Sequence, residues 1–115
     1  MKSYILYRNG NNCFVDVMKS KDERKDYERL TYPLRHVARH SPTGLNWGYS
    51  GSGPADCALS ILTDCLGEER AERWYQEFKS HFLAGLHAGG GVISEKTIRE
   101  FIEAKEAEYA ETYSR

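Results

Sequence analysis

The sequence predicts an α+β fold: an N-terminal β-hairpin, open to extension into a small antiparallel sheet, packed on three α-helices around a buried central helix. Three observations carry that reading. Two β-branched and aromatic runs flank Asn9-Gly10, a pair that tolerates positive φ and favours tight hairpins. A turn at Gly51-Ser52-Gly53 leads through Pro54 into an apolar stripe at helical spacing. Two more helical patterns follow, separated by Gly67 and by the glycines at 89, 90 and 91.

In the hairpin, Tyr4 to Tyr7 and Cys13 to Val17 supply the strands, with Cys13, Val15 and Val17 on one face and Asp16 on the other. Two strands alone are marginal in water, so they must rest on helices or gain a third strand. Lys19 to Arg29, KSKDERKDYER, has Tyr27 as its only large apolar residue and reads as an exposed connector. Leu30 to Val37 is interrupted by Pro33, which predicts a short strand and then a helical turn.

The central helix starts near Pro54, whose missing N–H and preset φ suit a first turn, with Gly53 or Ser52 as N-cap. Ala55, Ala58, Leu59, Leu62 and Leu66 form its stripe, and Cys57, Ile61 and Cys65 widen it to most of the circumference. Such a helix is buried on nearly all sides. Asp56 adds a negative charge in the first turn, where it can cap the helix amides.

Gly67 closes that helix as a C′ residue, and Glu68 and Glu69 open the next, where the helix dipole favours them. Ala71, Trp74, Tyr75, Phe78 and Phe82 are its apolar stripe, and the short connection predicts an antiparallel helical hairpin. His87 to Gly91 reads as a flexible connection and Val92-Ile93 as a brief edge strand. Ser94 is the N-cap of the third helix, with Ile93 and Ile98 as a hydrophobic staple. Ile98, Phe101, Ile102, Lys105 and Tyr109 face inward, while Glu100, Glu103, Glu106, Glu108 and Glu111 make the outer face acidic. Residues 111–115 are expected to fray.

The 115 residues, 40% hydrophobic and 29% charged, read as one globular domain spanning 1–115. No apolar run approaches the roughly 18 residues of a membrane helix, and Met1-Lys2-Ser3 opens no signal-peptide pattern. A cytoplasmic location and no membrane partner are therefore expected. Cys13, Cys57 and Cys65 are odd in number and lack C-x-x-C spacing, which predicts small buried hydrophobes in a reducing compartment rather than disulfides or a zinc site. Net charge is −1, with +4 over residues 1–50 and −5 over 51–115. That balance disfavours nucleic acid as a general partner, while the acidic C-terminal part suits a basic partner surface.

The candidate site lies between His40 and Leu62. A glycine turn before a helix N-terminus is the geometry of phosphate and carboxylate sites, since amides and dipole both attract anions. Gly51, Ser52 and Gly53 would hold the anion, with Trp47 and Tyr49 beside it and His40 and Ser41 at its edge. Neither a P-loop Lys-Ser/Thr pair nor G-x-G-x-x-G is present, and the same glycines would equally let backbone pack against Trp47 and Tyr49. His36 and His40, four apart, would share a helical face, but no third ligand lies near them, so no metal and no cofactor are expected. His40 more simply hydrogen-bonds the turn Ser41-Pro42-Thr43-Gly44.

The segments HSPTG, WGY, GSGPA and ALSIL in this stretch resemble the signature of an uncharacterised domain family found on bacteriophages, plasmids and integrative elements. The similarity continues into Tyr75, Phe78 and Lys79. It implies an aromatic before the last helix, where this chain has Gly89, Gly90 and Gly91. The family brings no catalytic activity with it.

Three functions are weighed against these residues. An enzyme would use His40 as base, Ser41 or Ser52 as nucleophile and the amides after Gly51 as oxyanion cradle, but no residue is evident to orient the base and there is no G-x-S-x-G elbow. A ligand-binding module would hold a phosphate-bearing small molecule or nucleotide at Gly51-Ser52-Gly53, with a base stacked on Trp47 or Tyr49. A non-enzymatic interaction protein of a mobile element would bind a host protein or protein complex, such as a defence complex, through Glu103, Glu106 and Glu111. The last is the leading expectation and the ligand-binding module the alternative.

Overall fold

Two runs rich in apolar, β-branched and aromatic residues form strands β1 (Lys2–Asn9) and β2 (Asn12–Ser20), paired antiparallel from Lys2↔Lys19 to Asn9↔Asn12. The computed structural model describes residues 1–20 and 29–113. The turn falls at Gly10-Asn11, one residue later than Asn9-Gly10, with Gly10 at φ +63°. Positive φ at the first central position is what lets a two-residue turn follow the twist of its strands.

β3 (Arg29–Pro33) pairs with β2 and β4 (Gly90–Ser94) with β1, giving an antiparallel sheet of order β3-β2-β1-β4. The strand expected after Leu30 is therefore present, but the helical turn expected before Val37 is not. The Leu34 amide donates to the Val15 carbonyl at 2.8 Å and the Val37 amide to Ser60 Oγ at 2.8 Å, so both amides are committed to other elements. Of the charged segment from Lys19 to Arg29, Lys19 and Ser20 end β2 and Arg29 begins β3. The rest, including Tyr27, lies outside the described residues.

The two-residue period sends Tyr4, Leu6, Val15, Val17 and Ile93 into the core. Ile5, Tyr7, Phe14, Asp16, Met18 and Val92 take the opposite face. Against the inner face lies α1 (Ser52–Leu66), in which every residue from Gly53 to Leu62 is buried. Its N-cap is Gly51, just before the expected Ser52 or Gly53. Gly67 ends it at φ +94°, its amide donating to the Thr63 carbonyl at 3.0 Å.

α2 (Glu68–Phe78) buries Ala71, Trp74 and Phe78, then continues as a π-helical turn, Lys79–Leu83, closed by the Ala84 amide donating to the Lys79 carbonyl at 2.9 Å. The wider turn shifts the stripe by one residue. Leu83 takes the buried position, and Phe82 lies half-buried against Phe78 and Phe101, with centroids at 4.8 and 5.1 Å.

In α3 (Glu95–Tyr113) the Thr97 amide donates to Ser94 Oγ at 3.2 Å, and Ile93 and Ile98 are both buried, the cap and staple the sequence predicts. Ile98 and Ile102 reach the core, whereas Tyr109 does not. It lies farther along the helix, with its ring edge-on to Trp74 at 6.3 Å. Gly90 and Gly91, expected in a flexible connection, are the first residues of β4 and pair with Tyr7 and Leu6. Gly90 has φ +97°, and a Cβ there would lie 2.0 Å from the Leu6 carbonyl oxygen.

Candidate functional site

A carboxylate buried in an apolar helix must be met by donors, and Asp56 is fully buried. The segment before the helix supplies them. Backbone amides of Arg39, His40 and Ser41 donate to its two oxygens at 3.3 and 3.2, 2.9 and 2.9 Å, and His36 Nε2 donates to Oδ2 at 2.9 Å. Burial pushes the carboxyl up in pKa, but His36 and the amides of Ser41, His40 and Arg39 outweigh it and hold it below its ordinary value. Asp56 therefore does not cap its own helix. It is the internal anion that folds residues 36–41 onto α1.

That arrangement separates the two histidines. His36 faces Asp56, while His40 Nε2 lies 2.9 Å from the Tyr75 hydroxyl with the two rings stacked at 5.8 Å. His40 thus ties the loop to α2 instead of bonding the Ser41–Gly44 turn. Ser41 is buried, its Oγ 3.4 Å from Thr43 Oγ1, and Ser52 is exposed. The ring of His40 bonds neither serine, so the base and nucleophile of the enzyme reading are not assembled.

The glycine loop is covered by its own neighbours. A Cβ at Gly51 would lie 2.6 Å from the Tyr49 ring, and one at Gly53 would lie 2.6 Å from Asn46 Cβ and 2.8 Å from the Tyr49 hydroxyl. Glycine is needed here because Tyr49 and Asn46 lie on the backbone. Trp47 is buried, its Nε1 donating to the Ala88 carbonyl at 3.1 Å and the Arg8 guanidinium 5.1 Å from its ring. The next amide, Gly48, donates to the Leu83 carbonyl at 2.8 Å. Trp47 is thus a staple of the loop, and only Tyr49 of the two aromatics remains open to solvent.

A cleft of about 450 Å³ stays open between the hairpin tip and this loop. It brings Ser41, Tyr49 and Gly53 together with Asn11, Asn12 and Phe14, the tip residues that sequence reasoning missed. Their signal was the strand period, which turns Phe14 away from Val15 and Val17. His40, Trp47, Gly51 and Ser52 are not among the residues that line it, and no charged side chain does so.

The acidic face of α3 is only partly as expected. Glu103 and Glu111 are exposed, but Glu106 accepts from Arg70 Nε and Nη2 at 3.0 and 2.6 Å and so ties α3 to α2. That pair holds the Glu106 carboxyl below its usual value. A second carboxylate, Asp64, fastens α1 to the sheet. Its oxygens accept from the Tyr4 hydroxyl at 2.5 Å, the Tyr32 hydroxyl at 2.7 Å and Lys2 Nζ at 3.0 Å.

Among the described residues, no group of His, Cys, Asp and Glu is placed to hold a metal ion, and no helix is long and apolar enough to cross a membrane. No curated protein and no solved structure matches the chain. One family does, over residues 10–104, a span that takes in the cleft and the Asp56 anchor. The chain belongs to that family, DUF6166, a family of unknown function.

Proposed function

We propose that this is a non-enzymatic binding protein that docks the aromatic surface at its hairpin tip onto another protein, stoichiometrically and without chemistry. One juxtaposition carries the reading. Tyr7 and Phe14, 38% and 41% exposed, stack at 5.4 Å on the solvent face of the sheet, and Phe14 also lines the cleft with Tyr49, which is 47% exposed. Clustered open aromatics rimmed by Asn11, Asn12 and Thr43 have the composition of an interface centre and its polar border. An uncharged cleft suits a neutral, amide-rich protein surface better than a phosphate backbone.

The similarity of the HSPTG, WGY and GSGPA segments to proteins of phages, plasmids and integrative elements supports a host macromolecule as the partner, such as a defence complex. Glu103, exposed on α3, offers a separate contact to basic residues. The test is affinity capture from host lysate with the natural chain and with a Phe14→Ser, Tyr49→Ser variant whose thermal melt confirms folding. One protein held in stoichiometric amount by the natural chain and reduced at least about tenfold by the variant is the expected result, as for loss of interface anchors. Equal capture by both, or capture of none, refutes the proposal.

A phosphate or nucleotide at Gly51-Ser52-Gly53 is the second reading. It is favoured by the absence of any side-chain cap on α1 and by the place of Gly53 in the cleft wall. A phosphate or nucleotide that binds there raises the melting temperature. Ser52→Asp, an exposed change that adds negative charge without bulk in the loop, should abolish that rise.

A further inference from the structure

The two edges of the sheet are built differently. β3 ends in Pro33, and a proline is a common guard against edge pairing. β4, Gly-Gly-Val-Ile-Ser, has neither a charge nor a proline, and Val92 on its solvent face is 67% exposed.

Ladder alternation shows which groups of β4 are open. The Lys2 amide points toward the β4 side, donating to Glu95 Oε1 at 2.8 Å, so the even residues of β1 face β4. Their partners are Gly91, opposite Leu6, and Ile93, opposite Tyr4. Gly90 and Val92 are therefore turned to the other side, and the Gly90 amide does turn away, donating to the His87 carbonyl at 2.9 Å. The Val92 amide and carbonyl lie on the open edge and, among the described residues, have no partner.

We infer that β4 is a homodimer edge, pairing antiparallel with β4 of a second copy about a two-fold axis at Val92. The occupant follows from the strand itself. A residue at the centre of an antiparallel two-fold meets its own twin and exchanges both hydrogen bonds with it, which the free amide and carbonyl of Val92 allow. On either side, each Ser94 amide comes opposite a Gly90 carbonyl. The glycines at 89, 90 and 91 carry no side chains to obstruct the approaching strand. Pairing would join two sheets into one and bring the two Val92 side chains together on the solvent face, next to Ile5 of each copy. This inference is independent of the partner-binding surface at the hairpin tip.

The test is light scattering of the full chain over a concentration series reaching about 1 mM, the weak end of specific association, with amide exchange read at Val92 over the same series. The mass should rise from 13.2 kDa toward twice that value, with the Val92 amide gaining protection in step. Val92→Pro removes the donor at a position where the β1 ladder does not use it, and Val92→Lys sets two charges against each other at the axis. Each should weaken association at least about tenfold while keeping the natural melting temperature, because edge prolines and lysines block pairing without breaking the sheet. A monomeric mass throughout overturns the inference. So does a dimer in which Val92 gains no protection, since it must then form through another surface. The exchange measurement needs no substitution, so it decides even where a variant is destabilised.

Discussion

Asp56 and His36 meet at 2.9 Å across the start of α1, and with the amides of Arg39, His40 and Ser41 they enclose a fully buried carboxylate. The contact explains why a helix that is otherwise uncharged through its first three turns contains an aspartate. It lets a segment without regular secondary structure hold a fixed path. That path places Ser41, Thr43 and Tyr49 along the cleft.

Asp56→Asn is expected to destabilise the protein by about 3 kcal/mol, because an amide group would oppose backbone donors and leave part of a buried network unpaired. For a chain of this size that corresponds to a fall in melting temperature of roughly 10 °C or more. Thermal unfolding followed by circular dichroism measures it. Ser60→Ala, which removes one acceptor from the Val37 amide, should cost less, about 1 kcal/mol.

Acid should unfold the protein through Asp56 and Asp64. Burial raises the pKa of each, but donors outweigh it: His36 and three amides for Asp56, and Tyr4, Tyr32 and Lys2 for Asp64. Both are held below the ordinary value, so the unfolded chain takes up protons at higher pH than the folded one. Their contribution is complete above the unfolded value, about 4, and is lost as the pH falls through the lower folded values. Urea titrations should show little change from this source between neutrality and about pH 5, then a decline below about pH 4. Asp64→Asn should lower stability at neutral pH and reduce that decline.

Gly90→Ala should be among the most damaging single changes. It sets a Cβ 2.0 Å from the Leu6 carbonyl oxygen at a φ of +97°, so β4 must shift off β1. A loss of about 3 kcal/mol or more is expected from strain and broken pairing. Gly85→Ala is the control, since a Cβ there meets nothing within 4 Å and φ is not positive. It should leave the melting temperature unchanged or slightly raised through the unfolded chain.

Tyr4 and Tyr32 both donate to Asp64, but Tyr4 is fully buried and Tyr32 is not. Tyr4→Phe is expected to cost about 2 kcal/mol, because no water replaces the lost donor to a charged group. Tyr32→Phe should cost about 1 kcal/mol or less, as solvent can reach its side of the carboxylate. A difference in urea midpoint at constant slope would measure this, and equal effects would contradict the assignment of burial as the cause.

The sequence by itself determined what depends on near neighbours. The hairpin, the buried central helix, the Gly67 stop, the Glu68-Glu69 start and the Ser94 cap with its Ile93–Ile98 staple all rest on contacts within a few residues. Turn chemistry, dipole and period express those contacts directly. The solvent-facing position of Phe14 also follows from the strand period, once Val15 and Val17 are assigned to the core.

Only the tertiary structure decided where the polar groups went. Asp56 has the same local sequence whether it caps its own helix or reaches back to His36 and residues 39–41, and choosing between them required the path of a segment about twenty residues earlier. Glu106 looks outward by helical period until Arg70 of a neighbouring helix bonds it. Trp47 and Tyr49 are equivalent as sequence, but the Ala88 carbonyl and Arg8 enclose the first while the second lies over Gly51 and Gly53 in the cleft wall. In each case the deciding partner is distant along the chain, and the energy of burying a polar group is satisfied only when that partner arrives.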